Sequence, residues 1–184
     1  DISMIAFSQE TNEFLKNKGW HNLFNFRFSS NNSNKFNLDV ESIVDACFNM
    51  SKSKTGALII IARTTDLKLY INTGDQLDSS LNSRMIENIF FKNSPMHDGA
   101  LIVVDNRIVA TRCVLPITEN ENFPAHFGMR HRAAVGITES TDAIAISVSE
   151  QTGNVSLTVS GEINPELSKE KLRYLLEKNL ALND

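Results

Sequence analysis

The run Ala57-Leu58-Ile59-Ile60-Ile61-Ala62 constrains this fold more than any other stretch of the chain. Six apolar residues in a row, three of them β-branched, leave no polar side for water, so the run predicts a strand buried on both faces of a sheet. Ala100–Val104 repeats the pattern. A strand covered on both faces needs helices above and below it. Neither run approaches the roughly 20 residues that carry a helix across a bilayer.

The helices are read from spacing. In Leu38–Ser53 the residues Val40, Ile43, Val44, Cys47 and Phe48 recur at helical intervals, with Asn37 or Asp39 available as a cap. Leu81–Phe91 turns Met85, Ile86, Ile89 and Phe90 inward, Arg130–Ser140 reads as a weak helix, and Asn164-Pro165 opens a last one through Leu167, Leu172, Leu175 and Leu176. Gly99–Val104 and Ile108–Leu115 flank the tight turn Asp105-Asn106-Arg107. Ala143–Val148 and Val155–Val159 flank the turn Gln151–Asn154, and Leu67–Ile71 alternates like a hairpin partner of the first strand. Hairpins interspersed with helices predict an α/β fold: a single domain with a mixed central sheet and helices packed around it. Residues 1–34 are set apart as an N-terminal helix and linker, and residues 35–184 as the main body. In the first part Ile2–Lys18 reads as a helix ended by Gly19, Trp20, Phe24, Phe26 and Phe28 as packing against the body, and Ser29–Asn34 as a surface loop.

Charge narrows the function classes. Eighteen Lys and Arg against 22 Asp and Glu give a formal −4, which argues against a generally basic nucleic-acid binder. Cys47 and Cys113 are too few for a disulfide framework and sit among apolar residues, as buried free thiols of a reducing compartment do. No basic segment followed by an apolar one opens the chain, so a cytoplasmic location is expected. Because the first residue is Asp1 rather than Met, the chain reads as a fragment or processed form, compatible with a membrane anchor upstream.

Three polar clusters interrupt this apolar framework. His97-Asp98-Gly99-Ala100 stands at the mouth of a buried strand, where a carboxylate can accept a proton, orient a hydroxyl or hold a divalent cation, or else cap a turn. Gly128-Met129-Arg130-His131-Arg132-Ala133-Ala134 sets two guanidinium forks at the start of a helix, a pattern that suits phosphate oxygens as well as a solvated basic turn. Ser149-Glu150-Gln151-Thr152-Gly153 ends another strand, and Glu150 reads either as a metal ligand or as an exposed hairpin residue. Carboxylates for a metal, a basic clamp and apolar strands to seat a base together fit phosphoryl-type transfer on a nucleotide.

Asp98-Gly99-Ala100 followed by Arg130-His131-Arg132 resembles the paired DGA and RHR motifs of diadenylate cyclases. The likeness extends through Thr55–Ile59, the Thr73-Gly74 turn and Ser149–Gly153, and covers Ile5–Ile163; Ile5–Glu10 is similar to the segment that follows the membrane helices of CdaA-type members. The resemblance implies that two ATP molecules condense to cyclic di-AMP with release of two pyrophosphates. It implies Asp98 at the 3′-hydroxyl and near the metal, and Arg130, His131 and Arg132 on the triphosphate. It sets Gly99 and Leu115 beside the adenosine, Ala100, Met129 and Ser149 among the nucleotide-lining positions, and His97 and Glu150 beside a Mg²⁺ or Mn²⁺ ion. It also implies a homodimer, since each chain carries one clamp and the product joins two nucleotides. This chain departs from the pattern where many members have Thr (here Met129), and where CdaA-type members often have an aromatic residue (here Val114) or Glu (here Gln151). Two other readings stay open: a catalytically weak or inactive nucleotide-binding sensor of the same fold, favoured by Met129 and Val114, and a metal-dependent phosphohydrolase built on His97 and Asp98.

Overall fold

A computed structural model describes residues 37–182. The expected helix Ile2–Lys18, the aromatic residues after it and the Ser29–Asn34 loop lie outside the described residues. In chain order the elements are α1 (Val40–Lys52), β1 (Ala57–Ile61), α2 (Lys68–Ile71), β2 (Asp75–Ser80), α3 (Ser83–Phe90), β3 (Ala100–Val104), β4 (Arg107–Cys113), α4 (Met129–Ser140), β5 (Ile144–Val148), β6 (Val155–Val159), β7 (Glu162–Asn164) and α5 (Lys169–Ala181). The seven strands make one mixed sheet in the order β2-β4-β3-β1-β5-β6-β7. Among the described residues its one parallel pair is β1 with β3, in register Ile59↔Leu101, and the other neighbouring pairs are antiparallel.

All five residues of β1 are buried, as their composition requires. The pleat sends Ala57, Ile59 and Ile61 to one face, against Ile43, Val44, Cys47 and Met50 of α1, Ile86, Ile89 and Phe90 of α3, and Leu172 and Leu176 of α5. Leu58 and Ile60 go to the other face, against Ala133, Ala134 and Ile137 of α4. Both cysteines are buried and free. Burial pushes each thiol up to about 12, so both stay protonated and unreactive at neutral pH. Asp39 caps α1 by accepting the N–H of Ser42 at 3.0 Å. Asp105 and Asn106 both have left-handed backbone (φ 48° and 62°), the geometry of a tight two-residue hairpin. Among the described residues no helix is long and apolar enough to cross a membrane.

Two expectations are corrected. Leu67–Ile71 is not a strand: Lys68–Ile71 is a single helical turn, with Leu67 O accepting the N–H groups of Tyr70 and Ile71 and Asp66 capping Lys68 N at 2.8 Å. The strand that follows is β2, Asp75–Ser80, on the sheet edge. Asn164-Pro165 does not open the last helix; Glu162–Asn164 forms β7, and α5 begins behind Ser168, whose hydroxyl accepts the N–H of Lys171.

Candidate nucleotide site

Parallel pairing puts the N-terminal ends of β1 and β3 side by side. The pairing begins at Ile59↔Leu101, so the segment ahead of β1, with Gly56, and the segment ahead of β3, with Asp98, lie at the same end of the sheet. The antiparallel neighbours deliver their C-terminal ends to the same rim: Cys113 of β4 stands opposite Ala100 and leads into Val114-Leu115, and Val148 of β5 stands opposite Ala57 and leads into Ser149-Glu150. The first turn of α4 reaches this rim through Arg130, whose guanidinium lies over Gly56. The two clusters that the sequence separates by some thirty positions therefore lie at the same end of the sheet.

Backbone geometry fixes the acidic side. Gly99 has φ +91°, and a Cβ there would stand 2.7 Å from the carbonyl carbon of Arg112, itself at φ 55°. These left-handed residues approach one another where the β3–β4 register slips between Ala100 and Ile102, a bulge whose extra residue lies on β4. Asp98 is partly exposed, but its Oδ1 is buried and makes no hydrogen bond. The nearest ring, that of His97, holds Nε2 3.2 Å from that oxygen, at ion-pair distance but without hydrogen-bond alignment. His97 Nδ1 lies 2.7 Å from Ser94 O. A carbonyl only accepts, so Nδ1 carries the proton, and in the neutral ring Nε2 turns a lone pair toward the carboxylate. Two such acceptors sit together stably when a proton or a cation lies between them.

The basic side is divided. Arg130 is almost buried, its Nη1 donates to Glu150 Oε2 at 3.1 Å, and its Nε is buried without a partner. Arg132 points elsewhere, its guanidinium 4.8 Å above the ring of Phe123. His131 is buried and tilts against Phe127, with ring centres 4.8 Å apart. Burial, the Arg130 charge and His126 together lower its pKa to about 4, so it is neutral at pH 7. Of the three positions expected on the triphosphate, Arg130 sends its guanidinium over Gly56, while His131 and Arg132 pack against the rings of Phe127 and Phe123. The α4 N-terminus has no side-chain cap, leaving N–H groups of its first turn open to an anion. Gly128 is not needed for the entry: its backbone is extended and a Cβ would meet nothing within 4 Å.

The remaining expected positions are distributed as follows. Ala100 and Leu115 are buried in the core beneath the rim, and Met129 is exposed on α4. Ser149 Oγ accepts the N–H groups of Gln151 and Thr152, so it shapes the β5–β6 turn. That turn is fixed from below, where Ser51 Oγ donates to Gly153 O at 2.6 Å. Glu150 sits on Arg130 and not with His97 and Asp98; among the described residues no three His, Cys, Asp or Glu side chains gather around a metal position. A magnesium-type ion bound mainly by nucleotide phosphates needs only one or two protein groups, and the orphaned Asp98 Oδ1 beside His97 Nε2 fits that demand. Sequence reasoning passed over the seat that Gly56 provides and the ring cluster of Phe123, Phe127 and His131, although their spacing of four residues on the approach to α4 was the available signal. Thr73 does more than close a turn: its hydroxyl donates to Tyr70 O and accepts Val114 N–H at 2.8 Å, tying α2 to the end of β4.

Comparison with known proteins gives this rim a context. Residues 44–163 match the family model described as DisA bacterial checkpoint controller nucleotide-binding, abbreviated DAC. The chain is 40% identical over 178 residues, 97% of its length, to a protein named diadenylate cyclase from Listeria monocytogenes, and 43% identical over 144 residues, 78% of its length, to one named cyclic di-AMP synthase CdaA from Bacillus subtilis. It spans 65% and 53% of the length of those two relatives. Among solved structures, a double mutant of DacA from Staphylococcus aureus superposes with a TM-score of 0.75 at 37% identity, covering 77% of this chain and 94% of that one. A hypothetical membrane spanning protein from Bacillus cereus does so with a TM-score of 0.67 at 37% identity, covering 70% of this chain and 63% of that one. A family model that matches residues 44–163, and 40% identity over 97% of the chain, mean that this chain belongs to the DAC family of diadenylate cyclases.

Proposed function

We propose that the chain is the catalytic part of a diadenylate cyclase: it binds ATP at the rim and joins two of them into cyclic di-AMP, releasing two pyrophosphates. The observation that carries this reading is the pair of unspent polar atoms at one sheet end. Asp98 Oδ1 and Arg130 Nε are both buried without hydrogen-bond partners, at the same end of the sheet, where Arg130 lies over Gly56. An acceptor and a cationic donor left unsatisfied in this way are costly unless a ligand completes them. A ribose hydroxyl and a phosphate oxygen are such a complement.

In this reading Asp98 accepts the proton of the 3′-hydroxyl as its oxygen attacks the α-phosphorus of the second nucleotide, and the bond from that phosphorus to the pyrophosphate oxygen breaks. Arg130 and the free N–H groups of α4 hold the phosphates and take up charge on the leaving group. His97 Nε2 and Asp98 Oδ1 would hold a Mg²⁺ or Mn²⁺ ion, which supplies charge neutralisation of the triphosphate when bound. The product is symmetric and each chain carries one such acid and one such fork, so two copies related by a two-fold axis place each hydroxyl opposite the other's phosphate. Residues 1–34 then act as a leader between this catalytic part and an upstream membrane tether, with the catalytic part facing the cytoplasm.

The test is product analysis after incubation with ATP and Mn²⁺ or Mg²⁺. Cyclic di-AMP and pyrophosphate in a 1:2 ratio are expected. Asp98→Asn should keep ATP affinity within about threefold and lower turnover by at least about a hundredfold. ATP binding without any product would establish the sensor reading instead, and hydrolysis of a phosphodiester without ATP the phosphohydrolase.

A further inference from the structure

Arg130 reaches its place because position 56 has no side chain. The three atoms nearest to a Cβ built on Gly56 are all in the Arg130 guanidinium: Nη1 at 2.3 Å, Cζ at 2.6 Å and Nη2 at 3.0 Å. Gly56 is buried, and its φ is outside the left-handed region, so neither backbone conformation nor a turn requires glycine there. The demand that the nearest atoms place on this position is room for a guanidinium.

We infer that Gly56 is a positioning residue for the reaction, acting through Arg130: its bare Cα forms the floor of a slot in which the fork lies pre-aimed. This rests on the function proposed above. Several observations point the same way. The slot floor is held by neighbours on both sides, β3 through the β1–β3 register and β5 through Ala57↔Val148. The chain enters it by a set path, since Lys54 is left-handed and Thr55 N–H donates to Met50 O at 2.9 Å. The wall is Glu150, which takes Nη1 while Nε stays free. An arginine with four side-chain torsions loses much of its freedom when it binds a phosphate, and a slot that has already removed that freedom favours the bound state. Because the colliding atoms belong to the far end of a flexible side chain, a methyl group at position 56 displaces Arg130 without disturbing the sheet.

The experiment is a double-mutant cycle of Gly56→Ala and Arg130→Ala, read by ATP affinity, turnover and melting temperature. Gly56→Ala alone should weaken ATP binding about tenfold and lower turnover further, while the same change in the Arg130→Ala background should have no further effect on affinity. Unchanged ATP affinity in Gly56→Ala, or an equal loss in both backgrounds, overturns the inference. The melting cycle needs no nucleotide. Any drop in melting temperature caused by Gly56→Ala should vanish once Arg130 is truncated, and a drop of equal size in both backgrounds rejects the slot. If the unmodified chain binds no ATP at all, the function reading fails while the melting cycle still decides whether Gly56 seats Arg130.

Discussion

Between two arginines a histidine would be expected to add positive charge, and burial reverses this at His131. Desolvation is the largest cause of its lowered pKa, with the charge of Arg130 and the neighbouring His126 adding to it. The linkage to stability has a definite sign. Above about pH 6.5 the ring is neutral both folded and unfolded, and its contribution is fully present. As the pH falls from 6.5 toward 4 the unfolded chain binds a proton that the folded one refuses, and stability declines on the order of 1–3 kcal/mol before levelling off. Urea titrations between pH 7 and 4 should show this decline, and His131→Gln should flatten it; an unaltered slope in the variant removes His131 as the cause. Residue types were legible in this region because an acid beside a glycine and paired arginines are unusual neighbours of apolar runs. Side-chain direction was not. Arg132 turning to Phe123, Ser149 spending its oxygen on its own turn and Glu150 leaving the acidic pair for Arg130 all depend on contacts between residues distant in sequence.

Among the elements, legibility followed one-sided or complete burial. β1 and β3 could be read because they are apolar throughout, β5 because it is apolar but for Ser147, and α1 because its buried residues fall on one stripe. β2 escaped because an edge strand with the sequence Asp75-Gln76-Leu77-Asp78-Ser79-Ser80 needs no apolar face, and its charges guard an open edge. α4 read as weak for the opposite reason. Residues Ala133–Thr138 are buried in succession, and a helix buried nearly all round shows no periodicity. It lies so close to the preceding loop that a Cβ on Gly136 would stand 2.1 Å from Pro116 O. Neither partner is a side chain that can swing away. Gly136→Ala should therefore cost about 2–3 kcal/mol despite the better helix propensity of alanine. Denaturant midpoints measure it, and an unchanged midpoint would mean that helix and loop separate freely.

For the whole molecule, a single acid and a single fork per chain make the proposed chemistry a property of two chains. Specific activity should rise with protein concentration and then saturate as the pair forms. A flat dependence over a range where sedimentation finds monomers would refute the paired mechanism. The mixed sheet itself was legible from hairpins alternating with helices; which strands neighbour one another was not, because pairing of β1 with both β3 and β5 is decided only when the layers close. That pairing carries a further consequence. Turns between neighbours in sequence, such as Asp105-Asn106, let local hairpins form early, whereas joining Ala57 to Val148 requires the ends of a long loop to meet and belongs to the late events of folding. A chain still on the ribosome, or partly unravelled, therefore carries every chemical group of the rim without the rim itself, and nascent copies stay silent until their last seam has shut.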